Sequence, residues 1–250
     1  MACLAVALFS FGFVDNRLIE KGIGMVLIRQ FVVVAWLCFF VVMVADAQSG
    51  AGLSTLAQDK QISELQRSIE TLASDPVQLA RLREEGRERT ILCRTCHGVD
   101  GISVKELVPN LAGQNPVYIV DQFQRFGDGR RFDYLMSGLA KSFSDEDKIR
   151  IALYYSGLVA GPTDVEFDSG LLSRGKKIFL SVCSECHGQD GHGQQGYARL
   201  AGQRQDYVVK MLQEFRDRTG RRSNPWMSAV ALKLDESQME AVAAYVASLR

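Results

Sequence analysis

Apolar residues recur along this chain at helical spacing rather than in alternation. Leu53, Leu56, Ile62, Leu65, Ile69 and Leu72 share one face when residues 48–78 are wound as a helix. Charged segments with the same periodicity follow at Leu79–Leu92 and Leu171–Val182, and further helices are predicted over Val117–Phe126 and Asp206–Arg218. A last helix opens on a capping signal, Ser144-Asp145-Glu146-Asp147 in one place and Asp235-Glu236-Ser237-Gln238 in another, and runs to Leu158 or Leu249. No stretch alternates as a half-buried strand would. The expected fold class is all-α.

One run departs from the amphipathic pattern. Phe31–Ala45 is uncharged and apolar throughout, yet shorter than the roughly 20 residues of a spanning helix. Arg29 precedes it, and Ala45-Asp46-Ala47 puts small residues at the two positions a signal peptidase reads. Residues 1–47 therefore form a leader, with a secretory signal peptide over 25–47. Residues 1–24 fit no such pattern, which makes Met25 rather than Met1 the expected start. An uncleaved leader would instead leave the chain associated with a membrane. In both cases residues from 48 onward are expected outside the cytoplasm, in the periplasm.

The helical outline occurs twice because the sequence repeats. Cys93-Arg94-Thr95-Cys96-His97-Gly98-Val99-Asp100-Gly101 returns as Cys183-Ser184-Glu185-Cys186-His187-Gly188-Gln189-Asp190-Gly191, at an offset of 90. Leu111-Ala112-Gly113-Gln114 and Tyr118 match Leu200-Ala201-Gly202-Gln203 and Tyr207 at an offset of 89. Met136-Ser137, Tyr154 and Leu158 match Met227-Ser228, Tyr245 and Leu249 at an offset of 91. Two copies make a duplicated small domain rather than a solenoid. Residues 79–160 form the first domain and 161–250 the second, behind an N-terminal helical extension over 48–78. The linker spans about 157–173 and carries Gly161-Pro162 and the acidic Asp164, Glu166 and Asp168.

Charge and cysteine content narrow the function. Lys+Arg and Asp+Glu are 29 each, so no basic excess argues for nucleic acid. Six cysteines are too few for a disulfide scaffold at this length. Cys3 and Cys38 belong to the leader, and the other four sit in the repeated motif.

A Cys-x-x-Cys pair alone reads as a redox dithiol, half a zinc site or a haem attachment. The residue after it discriminates. His97 and His187 each follow the second cysteine directly, which is the c-type haem signature written twice. Two thiols three residues apart reach the two vinyl groups of one porphyrin as thioethers, and the adjacent imidazole becomes the proximal iron ligand. A four-cysteine zinc ribbon would need roughly 15–20 residues between its pairs, far fewer than separate Cys96 from Cys183. Cys93, Cys96, Cys183 and Cys186 are therefore the thioether candidates for two covalently bound haem c groups.

Elimination gives the sixth ligands. Met1, Met25 and Met43 lie in the leader, and Met211 and Met239 sit in predicted helices with no counterpart in the other copy. Met136 and Met227 align, 39 and 40 residues after their histidines. A soft thioether opposite histidine favours ferrous iron and suits electron transfer.

On these motifs the chain resembles a class I cytochrome c duplicated in tandem, and is most similar to the cytochrome c4 family of dihaem electron carriers. The resemblance covers residues 79–250. It implies two His/Met haems packed face to face across a pseudo-twofold axis, with propionates meeting near the interface. It also implies redox protein partners, a respiratory donor such as a quinol-oxidising complex and a terminal oxidase or reductase. In class I domains a Gly and an aromatic precede the attachment motif. The second copy has Gly175 and Phe179, whereas the first has Gly86 one residue out of register and Arg89 in the aromatic place. The first and last helices of the first copy are thus expected to cross differently.

Other residues carry weaker signals. His192 reads as a solvated side chain in a glycine-rich loop, and Trp226 as a wall of the haem site. Tyr118 and Tyr207 are candidate propionate donors. Arg130, Arg131, Arg216, Arg218, Arg221 and Arg222 would balance propionates or steer an acidic partner. Two rival functions remain open. Leu139-Ala140-Lys141-Ser142-Phe143-Ser144 is similar to the cytochrome subunit of flavocytochrome c sulfide dehydrogenase. A dihaem peroxidase or thiosulfate dehydrogenase would need a labile axial position, which two matched methionines oppose.

Overall fold

The computed structural model describes residues 60–161 and 168–250. The leader 1–47, residues 48–59 of the extension with Leu53 and Leu56, and 162–167 of the linker lie outside the described residues. From Lys60 onward the chain forms one compact unit. It is helical, and among the described residues extended pairing is limited to one isolated antiparallel bridge between Arg131 and Arg222.

The helices are α1 (60–73), α2 (Pro76–Arg89), α3 (Arg94–His97), α4 (Pro116–Asp128), α5 (Tyr134–Ser142) and α6 (Asp145–Ser156). The second repeat continues with α7 (Ser169–Ile178), a π turn over Phe179–Cys183, α8 (Ser184–His187), α9 (Gln205–Asp217), α10 (Pro225–Ala231) and α11 (Glu236–Ser248). Local chemistry sets their starts. Asp75 caps α2 by accepting from Val77 and Gln78 N–H, with Pro76 in the first turn, where its missing N–H has no role. Ser144 caps α6, and Asp235 with Gln238 forms a complete capping box on α11.

Each repeat builds its own core. Val117, Val120, Phe123, Ile151 and Tyr155 are buried together in the first, and Phe179, Val208, Leu212, Met239 and Val246 in the second. The extension belongs to the first core: Ile69 on α1 is buried in it, and Ile62, Leu65 and Leu72 pack against it.

The first and last helices of both repeats cross at a glycine. A Cβ on Gly86 would lie 2.1 Å from the Arg150 carbonyl oxygen, and one on Gly175 would lie 2.0 Å from that of Ala241. The expected difference in crossing is therefore absent. Gly86 precedes Cys93 by seven residues and Gly175 precedes Cys183 by eight, and the π turn takes up the extra residue.

The aromatic place also needs correction. Four residues beyond the crossing glycine stand Thr90 and Phe179, both fully buried, while Arg89 is exposed and pairs with Asp147 at 3.3 Å. The bulk has moved across the helix pair. Thr90 in the first repeat accompanies Tyr155, whereas Phe179 in the second accompanies Val246, which matches Tyr155 at the offset of 91. Threonine has the shape of valine, and tyrosine that of phenylalanine plus a hydroxyl, so the exchange conserves volume.

The LAGQ segments join the repeats reciprocally. Gln114 donates to the Arg199 carbonyl at 2.9 Å and accepts from Arg199 N–H at 2.6 Å. Gln203 donates to the Asn110 carbonyl at 3.0 Å and accepts from Asn110 N–H at 2.8 Å. Each glutamine thus clasps the residue preceding the other LAGQ, as a pseudo-twofold axis requires.

Candidate cofactor-binding site

The attachment motif of each repeat is a single helical turn. Cys93 precedes α3 and Cys183 precedes α8, and the His97 N–H reaches the Cys93 carbonyl at 2.9 Å, holding both cysteines and the histidine on one turn. Gly98, at φ 84°, then ends the turn, and a Cβ there would meet the Ile102 carbonyl oxygen at 2.0 Å. Among the described residues none of the four cysteines is in a disulfide, and no group of three or more His, Cys, Asp or Glu could hold a metal ion. Burial pushes the Cys93 thiol up and the Cys183 thiol up to about 11.

Both imidazoles are buried and equally oriented. His97 donates from Nδ1 to the Pro109 carbonyl at 2.9 Å, and His187 from Nδ1 to the Ala198 carbonyl at 2.8 Å. That bond leaves Nε2 with a lone pair, as a metal ligand requires. Burial lowers both pKa values, against the pull of the carbonyl, and Arg131 near His97 and Arg222 near His187 push the same way. Asp133 opposes this at His97, and the net effect at both rings favours the neutral form.

The two candidate methionines are presented by matching caps. Asp133 accepts from Met136 N–H at the start of α5, and Asn224 from Met227 N–H at the start of α10, each at 3.0 Å. Met136 and Cys93 pack against the first core, and Met227 and Cys183 against the second. The methionines set aside have other roles: Met239 is fully buried in the second core, and the Met211 sulfur lies 2.8 Å from Arg222 Nη1.

An arginine–tyrosine lattice lies between the repeats. Arg131 donates to the Tyr207 hydroxyl and Arg222 to the Tyr118 hydroxyl, both at 2.7 Å. Among the described residues neither guanidinium pairs with a carboxylate; nearby Asp121 is committed to Arg125 at 2.6 Å. Burial would raise the Tyr207 phenol, but the two arginines outweigh it and hold it below its ordinary value. The lattice therefore presents cationic charge suited to carboxylates. Arg130 and Arg216 are instead ion-paired, with Asp128 and with Asp217 and Glu236. Trp226 is 80% exposed. His192 bonds the Arg250 carbonyl at 2.7 Å and sits 3.2 Å from Asp190, so it is tied to the end of α11 rather than placed as a ligand.

Paired thiols, an Nδ1-anchored neutral imidazole and a thioether fit a covalently attached haem c. Residues 172–250 match the family model described as cytochrome c. Cytochrome c4 of Pseudomonas aeruginosa is 33% identical over 174 residues, which cover 66% of this chain and 87% of that protein. The solved structure of reduced recombinant cytochrome c4 from Pseudomonas stutzeri is similar at a TM-score of 0.61 and 32% identity, covering 67% of this chain and 98% of that one. The chain belongs to the cytochrome c4 family. It is a c-type electron-transfer cytochrome with covalently bound haem c. The thiosulfate dehydrogenase electron acceptor of Thiomonas intermedia is also similar, 31% identical over 62% of this chain and 77% of that protein.

Several residues of this cytochrome c4-family site carried no readable signal. The Pro109 and Ala198 carbonyls that orient the imidazoles are backbone groups. Thr90 and Tyr155 look like unremarkable helix residues until the repeats are aligned in space. The glutamine of LAGQ did carry a signal, its repetition, though not its role as a clasp.

Proposed function

We propose that this chain is a periplasmic dihaem carrier that passes electrons between redox proteins of a respiratory chain and has no substrate chemistry of its own. The observation that supports it most is the doubled imidazole geometry: two buried rings, each bonded through Nδ1 to a backbone carbonyl beside its own cysteine pair. Cys93 and Cys96 hold one haem as thioethers, and Cys183 and Cys186 hold the other. His97 and His187 would hold the iron through Nε2, and Met136 and Met227 would supply the second protein ligand to each. Each bound iron supplies one-electron exchange between ferric and ferrous states. The methionine sulfurs would bias that exchange toward the ferrous form, and Arg131 and Arg222 would supply cations for haem carboxylates. The donor is a quinol-oxidising complex or similar, and the acceptor a terminal oxidase or reductase.

Spectroelectrochemical titration of the purified protein, with a pyridine haemochrome count, tests this. Two attached haems, and a thioether–iron band that Met136→His and Met227→His each halve while lowering one midpoint potential, are expected. One haem, or a band untouched by either change, overturns it.

The Thiomonas relative's name favours a second reading, in which the electron donor is a sulfur-oxidising enzyme and the chain works as its acceptor or subunit. Rapid reduction by a thiosulfate dehydrogenase, or co-purification with a flavoprotein, selects that reading over a quinol-linked donor.

A further inference from the structure

Tyr155 on α6 is wholly buried, and among the described residues its hydroxyl is the one buried side-chain polar atom without a hydrogen-bond partner. Packing does not require that oxygen. The matching residue of the second repeat is Val246, and the ring whose bulk Tyr155 replaces, Phe179, has no hydroxyl. A buried hydroxyl left unpaired destabilises the fold, so its presence calls for an acceptor.

The surroundings leave few directions for one. The Tyr154 ring lies 5.1 Å away, centroid to centroid, and a Cβ on Gly101 would sit 3.2 Å from the Tyr155 ring. The polar groups acting on the phenol include Thr90 and Cys93. Thr90 donates to the Arg87 carbonyl at 2.8 Å and accepts from Arg94 Nε at 3.3 Å, and it makes no hydrogen bond to the phenol. Cys93 packs on the same core, whereas Val246, the match of Tyr155, brings no hydroxyl to the core on which Cys183 packs.

We propose that Tyr155 is a positioning residue for the first haem: its hydroxyl donates to the Cys93 edge of that group, and the second haem lacks any equivalent. The inference rests on the proposed attachment at Cys93. A thioether sulfur is a weak acceptor, and a donor at the edge of the group withdraws electron density and favours the ferrous state. The two haems, chemically alike in ligands, are thereby made unequal by one oxygen.

Tyr155→Phe removes that oxygen alone, and the pair Thr90→Phe with Tyr155→Val recreates the packing of the second repeat. Spectroelectrochemical titration and thermal unfolding of the haem-loaded protein are the readouts. Both variants are expected to lower one midpoint potential and leave the other in place, shifting the ferrous-to-ferric ratio of that haem on the order of threefold to tenfold at fixed solution potential. Tyr155→Phe also lowers Tm. Unchanged potentials with a raised Tm, as deleting an orphaned hydroxyl would give, overturn the inference, as does an equal shift of both potentials. Wild-type protein without thioether-bound haem in the first repeat overturns the attachment reading and this inference with it. Two attached haems with an indifferent Tyr155→Phe overturn this inference alone.

Discussion

Arg222 donates its guanidinium to the Tyr118 hydroxyl of the other repeat at 2.7 Å, and Arg131 returns the same bond to Tyr207. Arg131 and Arg222 pair across the isolated bridge, and both guanidiniums reach the Tyr207 hydroxyl, at 2.7 and 3.4 Å, so the pseudo-twofold axis runs between two cations. Like charges this close raise the energy of the fold unless an anion shares the site. The proposed haem carboxylates would be such anions, so the lattice is open to test as an electrostatic element of the redox centre. We expect Tyr118→Phe to cost about 1.5–3 kcal/mol, the range for a hydrogen bond to a charged partner, read by denaturant unfolding. Arg222→Gln, which deletes a cation beside His187, should favour the oxidised state and lower a midpoint potential. An unmoved potential would place the guanidinium too far from the redox centre to matter.

The glutamine clasps should couple. Gln203 serves Asn110 twice and also accepts from Arg204 N–H at 3.0 Å, all at a buried site. Gln203→Ala leaves the buried Asn110 N–H without its acceptor and is expected to cost about 1–3 kcal/mol. Gln114→Ala should cost a similar amount. Because both glutamines hold the same interface, the double variant should fall short of the sum of the single ones, by about 0.5 kcal/mol or more. Strict additivity in equilibrium unfolding would mean that the repeats do not separate as a unit.

What could be read in advance follows from which groups carry the information. Capping residues announce themselves by type and place, so Ser144 and the Asp235–Gln238 box set the helix starts as expected. The Cys-x-x-Cys-His pattern needs its order for chemical reasons, which made the cofactor legible from residues alone. The Gly86 register was misleading because a π turn adds a residue without changing the helix crossing, and turn type has no one-letter signature. The Thr90–Tyr155 exchange was hidden for another reason. Its partners sit on different helices far apart in the chain, and only contact in space reveals that volume moved from one to the other.

Glycine substitutions should separate contact from conformation. At Gly86 a Cβ meets backbone, the Arg150 carbonyl oxygen at 2.1 Å, so α2 and α6 must part. Gly86→Ala is expected to cost about 3 kcal/mol. It would also strain the bond from Arg83 Nε to the Leu153 carbonyl, 3.2 Å long across the same helix pair. Gly127 lies inside α4, and a Cβ added there would meet nothing within 4 Å. Gly127→Ala should therefore stabilise by about 0.5–1 kcal/mol, through the entropy of the unfolded chain and helix propensity. Equal effects at the two positions, measured by thermal unfolding, would refute the close crossing.

Asp206 ties the two repeats and should mark the acid limit of their union. Its carboxylate accepts from Leu107 N–H of the first repeat at 2.8 Å and from Arg204 at 3.1 Å. Burial acts to raise its pKa, but the Arg204 guanidinium and the N–H groups of Leu107 and Tyr207 outweigh it and hold the carboxyl below the usual carboxylate range. A carboxyl depressed in the folded state binds its proton more readily in the unfolded chain. Its stabilisation is therefore complete above the unfolded pKa of about 3.9 and is lost as pH falls through the lower folded value. Asp206→Asn should be less stable than wild type at about pH 7, and the two stabilities should converge below about pH 4. Denaturant unfolding of the haem-loaded proteins at stepped pH gives the difference directly, since acid loss of ligation is common to both. A gap that stays constant down to about pH 3 would show that Asp206 contributes no charge to the interface.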